Sequence, residues 1–130
     1  MKFEPDSLAG TNTVTRLDAA RLWVGTTAFT HSLLVPWRGA VLAWEVPRFE
    51  ALVASHFERI AALEPEVVIL GSGDRLRFAP PALTVALIAR RIGVECMDNA
   101  AAARTFNVLA SEGRRVVGAF IVGPAEGLAG

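Results

Sequence analysis

From Pro47 onward the apolar residues of this chain stop alternating and recur at helical spacing, and up to Val122 they switch repeatedly between the two habits. Phe49, Leu52, Val53, Phe57, Ile60 and Leu63 fall at i, i+3, i+4, i+8, i+11 and i+14, along one side of a helix of 3.6 residues per turn. Pro47 precedes this stretch and Pro65 stops it, so it predicts one amphipathic helix. Glu-Val-Val-Ile-Leu at 66–70 is then a continuous apolar run, which suits a strand buried on both faces. A second helix opens at Pro80 and Pro81, carries Arg90 and Arg91 in its last turn and ends at Gly93, following the preference for proline at the start of a helix and glycine just past its end. Gly-Val-Glu-Cys-Met at 93–97 is the next short strand. A third helix follows, with Asp98 or Asn99 as its N-cap and Gly113 as its C-cap, and Arg115 to Val122 reads as the final strand. Strand, helix, strand, helix, strand from 66 to 122 makes two crossover units, each expected to be right-handed.

The first third has a different grain. Residues 1–12, with Pro5, Gly10 and Asn12, read as an irregular lead-in. Thr-Val-Thr-Arg-Leu, Arg-Leu-Trp-Val-Gly, Thr-His-Ser-Leu-Leu-Val-Pro-Trp and Ala-Val-Leu-Ala-Trp-Glu-Val are short and rich in β-branched and aromatic residues. They are separated by Asp18-Ala19-Ala20, by the threonines near 26 and by Arg38-Gly39, which predicts three or four strands, mostly antiparallel. Residues 123–130 read as a loose tail. At 130 residues the economical assumption is one α/β domain over 1–130 with one core.

Charge removes one class of partner. Residues 1–65 carry six basic and seven acidic side chains, and residues 66–130 carry seven and six, so neither half offers the basic field a phosphate backbone requires. Nucleic acid is not expected. The hydrophobic fraction is 52% and the mean hydropathy +0.40, above the usual composition of a soluble domain. A partner, or a second copy in a twofold homodimer, would cover such a surplus. The longest run without Asp, Glu, Lys or Arg, residues 22–37, is broken by Gly25, three threonines, Ser32 and Pro36. It reads as two strands, not as a membrane helix of about 20 apolar residues. Met-Lys-Phe-Glu-Pro-Asp at the start has acids and no apolar stretch, unlike a secretory signal or transit peptide, so a cytoplasmic protein without integral membrane character is expected. Cys96 is alone, which excludes a disulfide framework within the chain and a cysteine zinc site.

The third helix places Ala102, Phe106 and Leu109 on one side and Arg104, Asn107 and Ser111 on the other. Its four alanines let the helix backbone approach the sheet closely, with Phe106 as the large anchor. The polar stripe aligns a cation, an amide and a hydroxyl along one ridge; a solvated face looks the same.

Taken together, Gly-Ser-Gly at 71–73, the apolar helix after proline, and the stretch from Gly93 through Met97-Asp98-Asn99 and Ala103-Arg104-Thr105-Phe106-Asn107 to Phe120 resemble the Mth938-like domain family of unknown function, whose mitochondrial members are assembly factors of respiratory complex I. The resemblance implies a three-layer α/β fold around a mixed central sheet. It implies protein partners, with respiratory-complex subunits as candidates, and no established reaction. Family members typically have Met-Asp-Thr at 97–99 and Cys-Arg-Thr-Tyr-Asn at 103–107, so Ala103 and Phe106 stand here for a cysteine and a tyrosine. Chemistry that needed that thiol or phenol cannot operate in this chain.

If the strands at 66–70 and 93–97 are parallel neighbours, the loops following them emerge at one sheet edge, where open α/β folds place a ligand crevice. Gly71, Ser72, Gly73, Asp98, Asn99 and Arg104 are therefore the candidate pocket, and with Asn107 and Ser111 the candidate docking surface. Gly-Ser-Gly is neither a dinucleotide fingerprint nor a P-loop, and a plain turn explains it as well. Asp98 at a helix N-terminus opposes an anion. Ser72 lacks a nucleophile elbow, and Asp98 is the one acid or base an enzyme could use there. No catalytic residue is assigned. With two histidines, His56 on the apolar side of the first helix and His31 in a strand, no metal or cofactor is expected. Cys96 reads as a small buried hydrophobe, and Trp23, Trp37 and Trp44 as core or edge aromatics of the β region. The two readings left open are a non-catalytic interaction or assembly factor, and a small-ligand binder or enzyme using the sheet edge.

Overall fold

Val67–Gly71 forms a strand, β6, whose side chains from Val68 to Gly71 are all buried. Such a strand needs cover on both faces, and the rest of the chain supplies it. The computed structural model describes residues 10–123. Along it run β1 (Val14–Leu17), β2 (Leu22–Val24), β3 (Thr27–Phe29), β4 (Leu33–Pro36), β5 (Leu42–Ala43), α1 (Ala54–Ala61), β6, α2 (Val85–Ala89), β7 (Gly93–Met97), α3 (Asn99–Ser111) and β8 (Val116–Phe120). β4 to β8 make a five-stranded mixed sheet in the order β5-β4-β8-β6-β7. β6 runs parallel to β7 and β8, while β4 is antiparallel to β8 and β5. β1, β2 and β3 form a separate antiparallel sheet.

Period-two alternation along the central strands sorts the side chains into two cores. Leu34, Val68, Leu70, Val117 and Ala119 face α1 and α2, meeting Phe57, Ile60 and Leu87. Leu33, Val35, Ile69, Val116 and Phe120 face α3 and the small sheet, meeting Phe106, Ala102, Val14 and Leu22. Helices, central sheet, and α3 with the small sheet are therefore three layers, the arrangement expected for an α/β chain. Ala102 and Ala103 are buried, and Phe106 meets Phe120 edge to face at 6.4 Å between ring centres. Gly118 makes room for this pair, since a Cβ there would lie 2.5 Å from the Phe120 ring and 3.2 Å from Phe106.

The structure differs from the sequence reading at several places, each for a local reason. The helix expected from Phe49 is split into a 3₁₀ turn at Phe49–Ala51 and α1 from Ala54, because Leu52 and Val53 are extended. Val53 becomes the exposed N-cap residue, and His56 Nδ1 accepts its N–H at 3.0 Å. His56 Nε2 meets the carbonyl of Glu45 at 3.1 Å and its ring meets Trp44, so both ring nitrogens are engaged by the backbone and the ring is packed. The second helix is a 3₁₀ turn at Pro81–Thr84 leading into α2. The residue that reverses the chain after it is Arg91, with φ 60°, and Gly93 instead opens β7. Residues 22–37 hold three strands, not two: Gly25, at φ 61°, and Thr26 form a two-residue hairpin turn that pairs Val24 with Thr27, so the chain breaks near the threonines as expected, but β3 follows as a further strand. His31 lies outside any strand, between β3 and β4. Part of the expected lead-in is fixed: Thr11 bridges Arg38, and the Asn12 amide donates to the carbonyls of Pro36 and Gly39 at 2.8 and 2.9 Å. The remainder, 1–9, and 124–130 of the expected tail lie outside the described residues. β7 is an edge strand, so Cys96 is half-buried rather than enclosed.

Candidate functional site

Three parallel strands point their C-terminal ends the same way, so the chain leaves β6, β7 and β8 at one edge of the sheet. The connection after β6 crosses by way of α2 on one face, and that after β7 crosses by way of α3 on the other. Adjacent strands whose connections part to opposite faces leave a crevice between them. A cleft of about 390 Å³ lies there. Ser72, Gly73 and Asp74 form one wall, Asp98, Asn99 and Ala100 a second, and Ile121 to Gly123 a third; Leu17 to Ala19 and Pro47 to Phe49 close the remaining sides, with Arg77 between them.

Among the polar side chains that reach the cleft, those of Ser72, Asp98, Asn99 and Asp18 are engaged by backbone groups. The Ser72 hydroxyl lies 2.7 Å from the Arg75 carbonyl and 3.0 Å from that of Met97, and it accepts the Arg77 N–H at 3.0 Å. Asp98 caps α3, accepting the Ala101 N–H at 2.8 Å, and so occupies the helix end an anion would need. Asn99 is buried. Its Oδ1 accepts the Gly73 N–H at 3.1 Å and its Nδ2 donates to the Ile121 carbonyl at 3.0 Å, lacing the exits of β6 and β8 to the start of α3. Asp18 accepts the N–H groups of Ala20 and Arg21 at 3.0 and 2.9 Å and pairs with the Arg21 guanidinium at 2.9 Å. The Ala20 N–H first, and then the arginine, hold its carboxyl below the ordinary range against the opposing effect of desolvation. Arg77 reaches Glu50 at 3.5 Å and lies over the Phe49 ring, joining the loop after β6 to the 3₁₀ turn. What remains open is an apolar floor with a rim of mixed charge.

Of the candidate residues, Ser72, Gly73, Asp98 and Asn99 come together at the cleft. Gly71 does not line it. It is buried beneath, where a Cβ would overlap Asn99 Oδ1 and lie 2.9 Å from Phe120; the glycine serves close packing of the Asn99 amide. Arg104 lies on the exposed face of α3, one turn beyond Ala100, and is outside the cleft. Asn107 does not line the cleft either. Its Oδ1 accepts the Val14 N–H at 2.8 Å and its Nδ2 donates to the Val14 carbonyl at 2.9 Å, so it fastens the small sheet to α3. Ser111 donates back to the Val108 carbonyl at 2.8 Å, as helical serines often do. Ile121 to Gly123 were missed, although three parallel strands put the exit of β8 on the same edge. Leu17 and Phe49 had no local signal, since contacts between distant segments bring them there.

The fold and its edge cleft define a class: small three-layer α/β domains with a mixed sheet whose parallel strands open onto one crevice. This chain belongs to the family described as protein of unknown function (DUF498/DUF598), which matches residues 14–121. It is similar to NADH dehydrogenase [ubiquinone] 1 alpha subcomplex assembly factor 3 of Bos taurus, 36% identical over 107 residues, covering 81% of this chain and 56% of that protein. The Homo sapiens protein of the same name is 36% identical over 90 residues, covering 68% and 48%. The chain thus spans about half the length of these curated relatives. A crystal structure of a Bordetella parapertussis protein superposes with TM-score 0.82 at 38% identity, covering 87% of this chain and 97% of that one. A solution structure from Bordetella pertussis, described as a Mth938-like domain, gives 0.82 at 31% identity, covering 100% and 98%. No helix among the described residues is long and apolar enough to cross a membrane.

Proposed function

We propose that this chain is a non-catalytic assembly factor that binds protein partners, subunits of a complex I-type NADH dehydrogenase among them. The observation that carries this reading is that Ser72, Asp98 and Asn99 are engaged by backbone groups, which leaves the cleft as a shaped apolar recess with a charged rim. Such a surface suits recognition of a partner segment better than bond-making. The names of the relatives support the same direction. Ala100 lines the cleft and Arg104 follows it by one helical turn, so a partner seated in the recess reaches the guanidinium as an anchor.

The test is a mild-detergent pull-down with mass spectrometry, comparing the native chain with an Ala100→Trp, Arg104→Glu variant. Both positions lie on the helix surface; Asn107 is left intact because it holds β1. Native chain is expected to retain NADH dehydrogenase subunits and the variant to lose them. If deleting the protein left respiratory assembly and NADH oxidation unchanged, the reading would be wrong.

A second reading rests on the concavity itself, because about 390 Å³ falls within the size of small-molecule sites. A small-ligand screen by thermal shift separates the two readings. A ligand that stabilises the native chain and not the Ala100→Trp variant favours a binder, whether or not it is also an enzyme.

A further inference from the structure

The outer side of β7 has no neighbouring strand among the described residues. Gly93 directs its N–H to the Glu66 carbonyl and Met97 its carbonyl to the Ser72 N–H, both on the β6 side. Since successive residues of a strand alternate in direction, Val94 and Cys96 present their N–H and C=O groups outward. Exposed edges are ordinarily blunted by lysine, proline or a bulge. Here Glu95 is the one charged residue of the strand, and neither lysine nor proline occurs in it.

The flank of this edge is apolar. Phe78, Val85 and Ile88 are 71%, 60% and 60% exposed, and with Val94 and Cys96 they line a groove of about 660 Å³ between α2 and β7. The charges are ordered along the edge: exposed Arg91 stands at its entry and exposed Glu95 at its centre. A strand with plus first and minus later is complementary to itself only when paired antiparallel.

We propose that this edge and groove are the interface of a twofold homodimer, in which β7 pairs antiparallel with β7 of a second copy and joins the two sheets into one. The outward groups allow three registers, placing Val94 opposite Val94, Val94 opposite Cys96, or Cys96 opposite Cys96. The middle one sets Glu95 directly against Glu95, a destabilising like-charge pair. The last sets Val94 against the charged Asp98. The first sets Glu95 opposite Gly93, next to the turn that carries Arg91 of the other copy, with Val94 on the axis. It also brings the two grooves together, so that Phe78, Val85 and Ile88 of each copy are covered. This interface lies apart from the cleft, and its success or failure leaves the assembly-factor reading untouched.

Sedimentation equilibrium of the full chain tests it. The native chain is expected to dimerise. Ile88→Glu, on the surface and so compatible with folding as checked by circular dichroism, is expected to sediment as a monomer. Arg91→Glu sets like charges against Glu95 and is expected to weaken association by at least roughly tenfold; adding Glu95→Arg reverses both signs and is expected to restore it. A native chain that stays monomeric at every accessible concentration overturns the proposal, and the edge then serves a strand of a different protein. A dimer indifferent to Ile88→Glu and to the charge reversal also overturns it.

Discussion

Replacing Asn99 by alanine strips a buried amide from two backbone groups at once, the Gly73 N–H and the Ile121 carbonyl. Leaving buried polar groups unsatisfied costs on the order of 1–3 kcal/mol, and Asn99→Ala is expected to lose about that in urea unfolding without a change of fold. Gly71→Ala is expected to destabilise for the reciprocal reason, because the added methyl would overlap Asn99 Oδ1. The two positions share one volume, so the double variant should be less destabilised than the sum of the singles, a double-mutant cycle being the measurement. Gly118→Ala would press on Phe120 and Phe106 and is expected to cost about 1–3 kcal/mol through overpacking. None of these roles can be read from residue type alone. Asn99 is recognisable in sequence as a helix cap, yet Asp98 takes the cap, and the amide's true partners lie 26 and 22 residues away.

Asn107 and Glu66 each fasten one element to another. The Asn107 amide is the clamp between α3 and β1, and Asn107→Ala is expected to speed hydrogen exchange in β1 to β3 while β6 and β8 stay protected; uniform acceleration would contradict this. Glu66, at the start of β6, accepts the Arg115 N–H at 2.9 Å and pairs with Arg114 at 3.2 Å. The Arg115 N–H first, and then the Arg114 guanidinium, hold its carboxyl below the ordinary value, against desolvation. A lowered folded-state pKa means that its stabilisation is present above the unfolded value, ~4.3, and is lost as pH falls through the folded one. Glu66→Gln should therefore show a flatter loss of stability between about pH 5 and 3. At this scale the pattern of apolar residues was legible for β6, β7, α3 and β8, where length and periodicity agree. It failed where the chain bends on its own terms: Leu52 and Val53 keep helical spacing but adopt extended backbone. Gly93 looked like a cap, while Arg91 carries the left-handed turn.

For the molecule as a whole, the alternation of strands and helices implied an α/β domain with one edge where the exits of the parallel strands meet, while the three layers were implied by the family resemblance; that edge carries the cleft. The far wall of the cleft, from Leu17 and Phe49, was not legible, because it depends on how the small sheet and the 3₁₀ turn dock. The split of the N-terminal strands was hidden for the same reason: β4 and β5 join the central sheet while β1 to β3 leave it. Sheet order has a further consequence, for how the chain is made. β8 lies between β4 and β6, yet it is the last of the described strands to leave the ribosome. Until Phe120 has emerged, the hairpin of β4 and β5 and the pair of β6 and β7 lack the strand that hydrogen-bonds to both. A nascent chain stopped at residue 115 should therefore remain sensitive to protease along its whole length, and resistance should arrive in one step as β8 clears the exit tunnel.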